Sequence, residues 1–77
     1  MKTIRQRFHG ILFDTLGCHP STIQDAMTLE LLGADSLDEV EIVIHCDAEF
    51  QTDITDDDTA KLTTIGDWIA YMEAHGS

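Results

Sequence analysis

Leu32-Gly33-Ala34-Asp35-Ser36-Leu37-Asp38-Glu39-Val40-Glu41 marks the point where a long connection becomes an amphipathic helix. Asp35 or Ser36 supplies an N-cap, and Asp38 and Glu39 sit where a helix macrodipole favours negative charge. A helix is therefore expected from about Ser36 to Phe50. At about 100° per residue, Leu37, Val40, Val43, Ile44, Ala48 and Phe50 form a broad apolar arc. Asp38, Glu41, His45 and Glu49 form a narrower polar stripe. The arc is wider than a core-facing stripe needs, so one edge of it is expected to stay available to partners.

Outward from this helix, the rest of the chain also reads as helical. Upstream, Thr3 and Gln6 have the spacing of a capping box, Ile4, Phe8, Ile11, Leu12 and Leu16 recur at helical intervals, and Gly17 is the expected stop. From Cys18 to Asp35 no period survives, and Gly17, Pro20, Ser21 and Thr22 supply turn chemistry. That connection carries Ile23, Met27, Leu29, Leu31 and Leu32, which predicts a loop packed across the bundle, with room for a short helical turn. Downstream, Thr52 to Thr55 forms a brief loop, and Thr55 followed by Asp56, Asp57 and Asp58 starts a short third helix. Thr63 and Thr64 interrupt, after which Ile65, Trp68, Ile69 and Met72 define a last helix ending near His75 and Gly76. The expected fold is all-α, a small four-helix bundle with three principal helices, one short helix and a long first loop. It occupies residues 1–77 as one domain.

Composition narrows the function. Fifteen carboxylates against four Lys and Arg give a formal charge of −11, which repels nucleic acid and anionic lipid and attracts proteins with basic patches. A hydrophobic fraction of 43% is ordinary for a folded chain and argues against an acidic disordered tail. Lys2, Arg5 and Arg7 cluster in the first helix, where they are expected to pair with acids elsewhere. The N-terminus has no apolar run suited to a signal peptide or membrane span, and Cys18 and Cys46 read as reduced thiols, so a cytoplasmic monomer is expected.

Locally, Ser36 has two readings, a helix cap or a hydroxyl nucleophile poised at a helix start. The surroundings favour the second. Gly33 and Ala34 leave room, and an anion on Ser36 would meet amide donors and the positive end of the macrodipole. Cys18-His19 and His45-Cys46 fit no common zinc spacing. Asp53, Thr55, Asp57 and Asp58 resemble a calcium loop, but Asp58 stands at the position needing glycine and Thr64 at the position needing glutamate. No metal site is expected. No Ser, His and Asp set or paired-carboxylate site stands out from so acidic a background, so no enzyme is expected.

The string Gly33-Ala34-Asp35-Ser36-Leu37-Asp38 resembles the attachment motif of acyl carrier proteins, and the similarity extends over nearly the whole chain. It takes in Leu16-Gly17, Val40-Glu41, Phe50, Ile54, the acids at 56–58, Lys61, Thr63-Thr64, Ile69 and Tyr71. The resemblance implies that Ser36 carries 4′-phosphopantetheine, attached from coenzyme A by a phosphopantetheinyl transferase that Asp35 and Asp38 help to dock and supply with magnesium. It implies a partner face of Asp35, Leu37, Asp38, Val40, Glu41, Ile44, Ile54 and Asp56 for acyltransferases, ketosynthases and other acyl-processing enzymes. It implies an acyl-chain pocket among Val40, Ile44, Ile54, Ile65 and Ile69, serving fatty acid, lipid or polyketide-type biosynthesis. Alternatives are an aminoacyl or peptidyl carrier, and an acidic helical adaptor without cofactor in which Ser36 only caps a helix. His45-Cys46-Asp47-Ala48-Glu49 breaks a run that is more acidic in the family, Trp68 is uncommon there, and Thr55 stands where proline is frequent. These departures suggest a specialised carrier.

Self-repulsion of the acidic surface opposes folding, so salt and divalent cations are expected to stabilise the chain. A melting temperature that rises with ionic strength tests this, and one independent of it would contradict it.

Overall fold

A computed structural model describes residues 1–76. Four helices make up the chain, α1 (Ile4–Leu16), α2 (Ser36–Phe50), α3 (Asp56–Lys61) and α4 (Ile65–His75), with a 3₁₀ turn at Pro20–Thr22 inside the long first loop. The all-α bundle expected from periodicity is what forms, and no strand occurs among the described residues.

Each helix starts the same way. Thr3, Asp35, Thr55 and Thr64 are extended N-caps whose side chains accept the amide three residues on, while Gln6, Asp38, Asp58 and Asp67 reach back to the cap amides. Four reciprocal boxes thus fix where four helices begin. Gly17, at φ 74°, ends α1 in the left-handed region.

The core forms where α1, α2 and α4 meet. Phe8 and Leu12 of α1, Ile42, Cys46 and Phe50 of α2, and Ile65, Trp68, Ile69 and Met72 of α4 are buried together with Ile23, Leu29 and Ile54. Phe8 and Trp68 stack with centroids 5.9 Å apart. The uncommon Trp68 is thus a core residue, and its indole N–H is buried without an acceptor among the described residues. Both cysteines are free. Burial pushes the Cys46 thiol up to about 12.

The face of α2 differs from the expected one. Ile42 and Cys46, outside the arc read from sequence, join Phe50 in the core, whereas Leu37, Val40, Ile44 and Ala48 are exposed. Two apolar stripes, about 150° apart on a helical projection, had merged into a single arc whose centre fell toward the outer one. Leu31 also departs from expectation, being 73% exposed, although Ile23 and Leu29 anchor the loop as expected.

The loop is held by its backbone. The carbonyls of Met27 and Asp25 accept from the amides of Ile65 and Gly66, at 2.7 and 2.9 Å, the first two of α4. These are donors that a helix start leaves without partners. A Cβ on Gly66 would stand 3.3 Å from the Asp25 Cβ, so glycine permits the approach. Arg5 binds the Asp25 carboxylate with both terminal guanidinium nitrogens, and Arg7 reaches Glu49 at 2.7 Å, so the basic end of α1 does pair with acids elsewhere. Past the docked segment, Thr28 to Leu32 makes one turn. Thr28 Oγ1 accepts from the Leu31 amide, the Gly33 amide donates to Glu30 and the Ala34 amide to Leu29. That pair of bonds closes a Schellman-type stop with Gly33 at φ 90°.

The amides of Thr63 and Thr64 donate to Asp67, which holds its carboxyl below the usual carboxylate range. A depressed folded-state pKa contributes stability above the unfolded value, about 3.9, that is lost as pH falls through the folded one. Asp67→Ala is therefore expected to lower stability near neutral pH and to converge on wild type as acid is added below about pH 4. Urea titrations across pH would show this, and a gap constant down to about pH 2 would contradict it.

Candidate functional site

Asp35 alone caps α2. Its Oδ1 accepts from the Asp38 amide at 2.9 Å, and Asp38 Oδ2 accepts from the Asp35 amide at 3.1 Å. Ser36 is therefore the first helical residue, exposed, with a hydroxyl that makes no hydrogen bond among the described residues. The amides of Ser36 and Leu37 are likewise unpaired there, in contrast to the Ile65 and Gly66 amides of α4. The arrangement suits a phosphodiester on Ser36, because it offers an accessible oxygen, two adjacent donors and the positive end of a helix.

Gly33 matters here for a reason other than room. A Cβ on it would meet nothing within 4 Å, but its φ of 90° is strained for any L side chain. Glycine lets the turn stop two residues before the cap and hand the chain directly to Asp35.

Around Ser36, α2 shows an outer face of Leu37, Val40 and Ile44, exposed by 74, 55 and 61%, flanked by Asp35, Asp38 and Glu41. Asp56 is exposed at the start of α3, while Ile54 is buried beneath it. Asp35 and Asp38 each use one carboxylate oxygen in the cap, and the other has no hydrogen bond among the described residues. Of the five residues expected to shelter a chain, Val40, Ile44 and Ile54 line one cavity of about 160 Å³ between α2 and α3. Ile65 and Ile69 lie in the core and are not part of its lining. Glu39, Val43 and Thr59 complete it with Asp56; the sequence places Glu39 in a first helical turn and Val43 in the apolar arc but assigns neither them nor Thr59 to a pocket.

Asp47 was also missed. Its Oδ1 accepts from Thr52 Oγ1 at 2.8 Å and from the Ile54 amide at 3.0 Å, which clamps the loop that presents Ile54. A carboxylate in the last turns of α2, followed by Thr52, was the available signal. His45 is exposed, as expected. Among the described residues no group of three or more His, Cys, Asp or Glu is placed to hold a metal ion.

A family model described as the phosphopantetheine attachment site matches residues 6–72. The chain belongs to this family. It is a phosphopantetheine carrier, and domains of its family bear 4′-phosphopantetheine covalently and are generally non-catalytic. Such carriers meet phosphopantetheinyl transferases and acyl-processing enzymes. No helix among the described residues is long and apolar enough to cross a membrane.

Because Asp35 does the capping, Ser36→Ala is expected to change stability by less than about 0.5 kcal/mol. Asp35→Ala is expected to cost about 0.5–2 kcal/mol. Denaturant midpoints of the two variants separate a free serine from a structural one, and equal losses would contradict the assignment.

Proposed function

We propose that Ser36 bears the phosphopantetheine and that the carrier holds acyl groups for fatty acid, lipid or polyketide-type biosynthesis in the cytoplasm. The observation that carries this reading is a serine at the first position of α2 whose hydroxyl has no structural task. Bound there, the arm supplies a distal thiol that holds an acyl group as a thioester. The chain itself contributes position, charge and shelter.

Position comes from Asp35 and Gly33, which fix the serine at the exposed start of a rigid helix. The neighbouring Ser36 and Leu37 amides face the site of the phosphate, where they favour an anion. Charge comes from Asp35, Asp38, Glu41 and Asp56, which steer basic enzyme surfaces, first the transferase and then acyltransferases or ketosynthases. Such contacts form fast, weaken with salt and release readily. Leu37, Val40 and Ile44 give the encounter an apolar centre. Shelter comes from the α2–α3 cavity, with Ile54 below and Ile65 and Ile69 behind it in the core. None of the residues of α3 is buried, so this six-residue helix is the element that opens at least cost.

An adaptor in which Ser36 merely caps a helix is disfavoured because Asp35 fills that role. The departures at His45 and Ala48, both exposed, alter the flank of the partner face and support a carrier dedicated to one pathway.

Intact mass after incubation with coenzyme A, magnesium and a broad-specificity phosphopantetheinyl transferase tests the reading. One phosphopantetheine on wild type and none on Ser36→Ala is the expected result. A folded wild type that stays unmodified, or a variant that is still modified, would refute it.

A further inference from the structure

Two cavities adjoin at α3, one between it and α2 and the other between it and the first loop, and they differ in character. One is the apolar space of about 160 Å³ walled by Val40, Val43, Ile44 and Ile54. The other, about 280 Å³, is the more polar of the two, with Thr28, Glu30 and Thr63 in its walls beside Leu29, Ala60 and Leu62. Glu39 and Thr59 are the two residues common to both linings. They stand on facing helices, where the two spaces adjoin.

Glu39 is one helical turn beyond Ser36, so the two side chains share a face of α2. It is half-buried, and its carboxylate has neither a hydrogen bond nor an ion pair among the described residues. Thr59, opposite, spends its hydroxyl on the Asp56 carbonyl at 2.9 Å and offers Glu39 no donor. Water on the polar side is then what solvates this carboxylate. An alkyl chain threading from the apolar space past Glu39 would strip that water and leave an ionised group unpaired, which is strongly unfavourable. A chain that ends before Glu39 incurs no such penalty.

Resting on the carrier reading, we propose that Glu39 is a specificity-determining residue, a charged gate that limits sheltered cargo to short acyl chains. The length follows from volume. A closed apolar cavity of about 150 Å³ accommodates benzene, so the space before the gate suits about six carbons.

The test loads the carrier, through the transferase and the corresponding acyl-coenzyme A, with butyryl, hexanoyl, octanoyl, decanoyl and dodecanoyl arms. Intact mass verifies each, and melting temperature is the readout. In wild type the melting temperature is expected to rise up to about six carbons and then level off. In Glu39→Gln, which keeps size and removes charge, and in Glu39→Ala, it is expected to go on rising with longer chains. An extended rise in either variant supports the gate. A wild-type profile that climbs steadily to dodecanoyl, or variants that level off where wild type does, would overturn it while leaving the carrier reading intact. Failure of wild type to accept any arm would instead overturn the carrier reading, and the gate with it.

Discussion

The structure depends on a mutual satisfaction of backbone groups between the first loop and the start of α4. A connection of this length without regular secondary structure has carbonyls in need of partners, and a helix start has amides in the same condition. Asp25 and Met27 answer Gly66 and Ile65 directly, and Gly66 lets the chains come close enough to do so. With the loop fixed at that point, Ile23 and Leu29 can be buried, and the turn from Thr28 to Gly33 delivers the chain to Asp35 at a defined place. Ser36 thus takes its position from backbone contacts in which it has no part itself.

Charge is distributed to the same end. Arg5 and Arg7 are drawn to Asp25 and Glu49, so they brace the loop and the end of α2 and leave the start of α2 acidic. Exposed pairs of this kind contribute only about 0–1 kcal/mol each. Their larger effect is on where positive charge is absent. A surface of one sign next to an unengaged serine costs some folding stability through repulsion and draws in surfaces of opposite charge.

The fold was largely legible in the sequence because its boundaries are chemical. Thr3 with Gln6, Asp35 before a first turn of acids, Thr55 before three aspartates, and Gly17 each announce a cap locally, without tertiary information. The orientation of α2 was not legible. Ile42 and Cys46 differ from Val40 and Ile44 in burial but hardly in hydropathy, and a helix that is apolar on two opposite faces gives no local sign of which one meets the core. The seam between α2 and α3 escaped for a related reason. Glu39 looks like any acid in a first helical turn until Thr59, twenty residues later in the chain, is brought opposite. The serine itself was legible through its motif, but its freedom from capping became evident only when Asp35 was seen to take both bonds of the box.

A carrier that presents a thioester risks losing its load to its own nucleophiles. Thiol exchange proceeds through the thiolate, and the burial that removes Cys46 from solvent also pushes its thiol up and disfavours that form. The cysteine in the middle of α2 is therefore chemically silent toward any activated acyl group a few turns away. Packing Cys46 into the core fills space between the helices and, by the same burial, withholds its thiol from any reactive group at the surface.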